Sequence, residues 1–243
     1  MGRLSRRNWR LIIIILTGAS GGIGRELISY LDKIDQVIGI YNSSKPVKEP
    51  GSNVTYVQLN IEDSEEVKKF IETWKVKLEK CEKLTVVHLA AAKADDLVVN
   101  YSEDDWDLLM QVNLKAGFLL TKHLLPIMIR IGHGRNIFTS SRGALDGYVG
   151  AVAYSTSKAG VLGLSKVLSK EYARFNITSN VLLLGAFKTG MFEKLSTKAQ
   201  QKIINKIPSK KCGDISNIAN AINFCMNSDY VSGSVISIDG AMY

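Results

Sequence analysis

The sequence predicts one α/β domain built on a doubly wound parallel sheet with helices on both faces. Three observations carry that expectation. Short apolar, β-branched runs alternate with longer segments of helical periodicity along all 243 residues. A glycine-rich turn joins the first run to the first helical segment. No repeat, linker or low-complexity stretch interrupts the alternation, so residues 11–243 read as a single domain behind a short basic tail, 1–10.

Taken in order, the strands are expected at "LIIIIL" (11–16), "VIGIY" (37–41), "VTYVQL" (54–59), "LTVVHLA" (84–90), "NIFTS" (136–140), "ITSNVLLL" (177–184) and "SVISI" (234–238). Apolar runs rich in β-branched residues suit strands covered on both faces, as in parallel sheets. Helices are expected near 22–33, 64–80, 103–130, 153–175 and 215–227, with Ser102 and Asp105 forming a capping box for the third.

Composition narrows the function classes. An apolar share of 46% with only four prolines describes a globular core. Cys81, Cys212 and Cys225, like His88, His123 and His133, lack metal-ligand spacing, which argues against a zinc enzyme and for a reducing compartment. The start, "SRRNWRLIIIIL", mimics an export signal, but its apolar run is six residues, too short for a signal core or a membrane span. Arg6 stands where an acylation motif wants Ser or Thr. A cytoplasmic protein is therefore expected. The formal charge of +8 is uneven: residues 1–10 hold four arginines and no acid, and residues 187–211 hold seven lysines against Glu193, so the rest is −2. That footprint is unlike the basic, aromatic-laced face of a nucleic-acid binder.

The first turn, "TGASGGIG", places Gly18, Gly22 and Gly24 between strand and helix, with Ser20 and Ile23 among them. Glycine permits the tight turn and close backbone approach that seat a pyrophosphate on a helix N-terminus. The domain is thus Rossmann-like and is expected to bind a dinucleotide. A carboxylate after the second strand would favour NAD and repel a 2′-phosphate. Here the stretch is "IYNSSKP", where Asn42, Ser43 and Lys45 bring donors and charge but no acid, so NADP(H) is favoured over NAD(H).

In "AYSTSKAG", Tyr154 and Lys158 stand four residues apart and share a helical face. Ser141, in "NIFTSSRG", lies just past a strand, where open α/β sheets bind ligands, and Asn113 sits upstream in "VNLKAG". Together with the glycine turn, this set resembles the short-chain dehydrogenase/reductase family over essentially the whole chain, and its 3-oxoacyl-(acyl-carrier-protein) reductase branch in length and in the C-terminal third. The resemblance implies Tyr154 as general acid, with Lys158 drawing its pKa toward working pH and binding the nicotinamide ribose. It implies Ser141 as the binder of the substrate oxygen and Asn113 as the holder of a water beside Lys158. It further implies cofactor contacts from Asn60, Ile61, Ala90, Gly185 and Thr189, a homotetramer, and an acyl thioester substrate on acyl carrier protein or coenzyme A.

The chain departs from the family at His88, Leu89, Ala90 and Ala91, where Asn-Asn-Ala-Gly is common. His88 either replaces a lost asparagine hydrogen bond or is a satisfied buried histidine. Leu184-Gly185 stands in place of Pro-Gly. Reduction of a keto-sugar or other small ketone, and a cofactor-binding protein with vestigial chemistry, remain alternatives. After Thr189 the family folds a lid over the substrate; here Lys194, Lys198, Lys202 and Lys206 recur every four residues and form either a solvated face or a stripe for an anionic carrier.

Overall fold

The computed structural model describes residues 11–47, 51–190 and 192–242; the basic tail, 1–10, lies outside them. One seven-stranded sheet runs in the order β3-β2-β1-β4-β5-β6-β7, and every neighbouring pair is parallel. Its strands are β1 (Ile12–Thr17), β2 (Gln36–Tyr41), β3 (Val54–Gln58), β4 (Lys83–His88), β5 (Gly134–Ser141), β6 (Ile177–Leu184) and β7 (Val235–Ile238). The first six follow the doubly wound order in which a nucleotide lies outside the strand ends where the winding reverses.

The apolar run of β1 explains why the sheet is covered twice. Ile13 and Ile15 enter one core cluster, Ile14 and Leu16 the other, and all four are fully buried. The first cluster is closed by α2 (Ser64–Leu78), α4 (Ala116–Ile131) and α6 (Val152–Tyr172), through side chains such as Phe70, Leu124 and Val161. The second is closed by α1 (Gly22–Leu31) and α8 (Ile215–Asn227), through Leu27, Leu31, Ile218 and Ile222. Burying one such side chain contributes about 1.5–3 kcal/mol relative to leaving it exposed. With α1 on one face and α2 and α4 on the other, the winding reverses between β1 and β4.

The single helix expected over 103–130 is interrupted. Between α3 (Glu103–Met110) and α4 lies a π-helical turn, Gln111–Lys115, closed by the Ala116 N–H donating to Gln111 O. Ser102 caps α3 by accepting from Asp105 N at 3.4 Å. Gly132, in the left-handed conformation with φ of 67°, ends α4. Two further helices, α5 (Gly143–Asp146) and α7 (Thr197–Lys206), lie outside the segments where helices were expected, the second within the segment expected to form the lid. Among the described residues no helix is long and apolar enough to cross a membrane.

Candidate active site

The glycine turn leaves β1 and enters α1 with no room for side chains. Gly18 has φ of 72°, and a Cβ there would stand 2.9 Å from the backbone of Ala90. A Cβ on Gly24 would lie 2.2 Å from Gly18 O, and one on Gly22 2.3 Å from Gly190 N and 2.7 Å from the Thr189 hydroxyl. The turn is therefore packed against the loops after β4 and β6. Helix α1 has no side-chain cap and no acid in its first turn, so its leading amides are open to an anion. These features fit a dinucleotide's pyrophosphate.

The loop after β4 lacks the family's asparagines and is held differently. Leu89 N and Ala90 N both donate to the Thr17 hydroxyl, at 3.0 and 3.1 Å. Farther along, Ala92 N donates to Asn113 Oδ1 at 2.8 Å, and Asn113 Nδ2 donates to Ala92 O at 3.1 Å. Asn113, buried in the π turn, also donates to Ser157 Oγ at 3.1 Å, and Ser157 donates to Tyr154 O. The asparagine thus ties the β4 loop to α6.

Lys158 is buried on α6, and its Nζ donates to Thr139 O at 3.1 Å while Ser140 Oγ donates to Lys158 O at 2.8 Å. Two bonds pin the helix to β5. Burial pushes the Lys158 ammonium down to about 8. Burial raises the pKa of Tyr154, and the nearby Ser141 hydroxyl opposes part of that rise. Burial is the largest influence on the phenol here, and the Lys158 ammonium is engaged with Thr139 O. Before any ligand contributes its charge, the phenol is held protonated.

His88 is buried, with one ring nitrogen partnered. Its ring stacks on Phe138 with centroids 4.3 Å apart, its Nε2 lies 3.1 Å from the Thr121 hydroxyl, and its carbonyl accepts from Thr139 Oγ1. Burial, with Lys158 nearby, pushes its pKa down to about 3.

The structure gathers Asn113, Ser141, Tyr154 and Lys158 around the carboxyl ends of β4 and β5, and Gly18, Gly22, Ala90 and Thr189 around the turn. Ile61 and Ala90 line one cavity with Asn113 and Lys158. Ser20 lies in the turn, and Ile23, on α1, packs against the second core cluster. Gly185 closes β6, its N–H donating to Ile238 O. Asn42 and Ser43 stand apart, exposed beyond β2, where Gln58 Nε2 donates to Asn42 O. Asn60, after β3, turns its side chain to Glu62 N.

Several residues of the site escaped the sequence reading: Thr17, Thr139, Ser157 and Arg142. The last follows Ser141, is buried, and pairs with Asp146 at 2.8 Å and Asp239 at 3.8 Å, linking the β5 loop to the C-terminal segment. At the start of α6 opens a cleft of about 400 Å³ lined by Leu97, Val98, Tyr148, Val149, Ser155 and Thr156. Among the described residues no cluster of His, Cys, Asp and Glu could hold a metal ion.

Comparison with known proteins agrees with this geometry. The family described as short chain dehydrogenase matches residues 12–200. The chain is 34% identical over 241 residues to the 3-oxoacyl-(acyl-carrier-protein) reductase FabG of Thermotoga maritima, covering 95% of this chain and 97% of that one. It is 31% identical over 238 residues to the FabG of Escherichia coli, with the same coverage. It is 33% identical over 235 residues to nodulation protein G of a Rhizobium species, covering 94% and 95%. Matched over most of its length by the family and along nearly all of it by these relatives, the chain is an oxidoreductase belonging to the short chain dehydrogenase family.

Proposed function

We propose that the protein reduces the carbonyl of a 3-oxoacyl thioester to a hydroxyl with NADPH, and that Tyr154, Ser141, Lys158 and Asn113 carry the reaction. The observation that bears most weight is the buried Tyr154 phenol, held protonated with the Ser141 hydroxyl as a neighbour, one residue before the Ser155 and Thr156 that line an apolar cleft. A phenol kept protonated by burial is loaded to give its proton to a carbonyl oxygen. Ser141 then steadies the charge developing on that oxygen. Lys158, one helical turn along α6 from Tyr154, is anchored on Thr139 O, and Asn113 braces α6 through Ser157. The nicotinamide, when bound, supplies the hydride. Leu97, Val98, Tyr148 and Val149 offer the acyl chain an apolar wall, and relatives that bear the name 3-oxoacyl-(acyl-carrier-protein) reductase support the substrate class.

NADPH is favoured over NADH because the exposed residues after β2, Asn42 to Lys45, include no carboxylate to repel a 2′-phosphate. The lysines of α7 are exposed and suit an anionic carrier such as acyl carrier protein or coenzyme A. Exposed Leu108, Phe118, Ile129 and Val167, on α3, α4 and α6, suit pairing of these helices between subunits of a homotetramer. The deciding experiment follows NADPH absorbance with an acetoacetyl thioester, a panel of small ketones, and NADH in place of NADPH. Turnover of the thioester with NADPH in preference to NADH is expected. Turnover of ketones alone would overturn the substrate, and a preference for NADH the cofactor.

A further inference from the structure

A cavity large enough for a single water lies between β4, β5, the π turn and α6, walled in part by Thr17, His88, Asn113, Thr139 and Lys158. Its polar walls differ in what they can still accept. Lys158 carries donors only. Asn113 has both Nδ2 protons engaged, on Ala92 O and Ser157 Oγ, and its Oδ1 accepts from Ala92 N. The Thr17 hydroxyl oxygen already accepts from two backbone amides. The Thr139 hydroxyl donates to His88 O and keeps its own lone pairs, and of the side-chain nitrogens facing the cavity among the described residues only one on His88 can accept a hydrogen bond.

The ring is set for that task. Phe138 fixes its plane and Thr121 binds Nε2. Nδ1 lies 3.6 Å from where a Cβ on Gly117 would stand, and Gly117 lines the same cavity. A glycine at 117 leaves space in front of Nδ1. With its pKa pushed down to about 3, the imidazole stays neutral and keeps a free lone pair throughout the working range.

We infer that His88 is a positioning residue, donating from Nε2–H to Thr121 and accepting at Nδ1 from a water that it holds against the Lys158 ammonium. A donor-only cation on one side and an imidazole acceptor on the other give that water two fixed partners. The inference rests on the reading of Tyr154 and Lys158 as the proton-transfer pair, and gives a second holder, beside Asn113, to the water next to Lys158, at a position where the family commonly has an asparagine.

The test compares His88→Leu with His88→Asn, which retains an acceptor, and runs Tyr154→Phe beside them. His88→Leu should lower kcat about tenfold, the worth of one neutral hydrogen bond, leave KM for NADPH unchanged and enlarge the solvent isotope effect on kcat. His88→Asn should recover most of the loss. A crystal structure of the native chain should place a water within hydrogen-bonding distance of both Nδ1 and Lys158 Nζ, and one of His88→Leu should not. Equal losses in both His88 variants with an unchanged isotope effect, or no such water, would overturn the inference. If His88→Leu does not fold, Thr121→Val takes its place with the same expected isotope effect. An inactive Tyr154→Phe beside a normal His88→Leu sinks the role of His88 alone; an active Tyr154→Phe sinks the proton-transfer reading and this inference with it.

Discussion

Tyr154 is the residue on which the chemistry turns. Replacing it with Phe removes one hydroxyl and little volume, so kcat should fall by at least about 10²-fold while NADPH binding, read by fluorescence titration, is nearly kept. Retention of a tenth of the rate would remove it as the acid. A second residue-scale expectation concerns His133, buried, its pKa pushed down to about 4 mainly by burial, with Arg135 and Lys83 adding to it. The unfolded chain takes up this proton near pH 6.5, whereas the folded protein refuses it until about 4. Stability should therefore decline as pH falls from about 6.5 toward 4, and His133→Gln should flatten the dependence of Tm on pH in that window; an unchanged slope would refute it. The four proposed reaction residues were legible because a family's spacing marks them. Thr17, Ser157 and Thr121 were not, since their partners lie 72, 44 and 33 residues away and leave no local pattern.

Between elements, the glycine turn and the loop after β6 meet at van der Waals limits. Gly22→Ala would drive a methyl into the Gly190 backbone, which unlike a flexible side chain cannot swing away. Calorimetric titration should show NADPH affinity lost or strongly reduced, with the sheet intact by circular dichroism; native affinity would show that the turn does not seat the cofactor. The strands and their burial on both faces were readable because six neighbouring apolar residues in "LIIIIL" admit no solvent face. The π turn was not. Five residues wound slightly wider than an α-helix keep the apolar residues nearly in phase, so periodicity still reads one helix over 103–130. Such turns occur at functional sites, and here it carries Asn113.

For the molecule as a whole, charge is the open variable. Residues 187–211 carry seven lysines and one acid, and the described lysines of this segment are exposed. If they receive an anionic acyl carrier, kcat/KM for a carrier-bound substrate should fall steeply with ionic strength, because steering acts on association and is screened. A small neutral ketone should show little change. Lys198→Glu with Lys202→Glu should reproduce the loss at low salt, and equal salt dependence for both substrates would reduce the stripe to a solvated face. The fold class was readable at this scale, because strand–helix alternation with parallel strands admits few windings. Which surface meets a partner was not, since a lysine every fourth residue reads the same on a solvated face as on a docking one.

The contact of Gly22 with Thr189 and Gly190 also bears on how such a protein can change over generations. In the proposed reading, the turn that would grip the cofactor and the root of the segment that would choose the substrate share one point of closest approach. A substitution selected for a new substrate near Thr189 is judged at once by its effect on nucleotide grip, and the reverse. On that reading cofactor choice and substrate choice are linked traits, and laboratory evolution of either should first accumulate changes away from that point, along α7 and after β2.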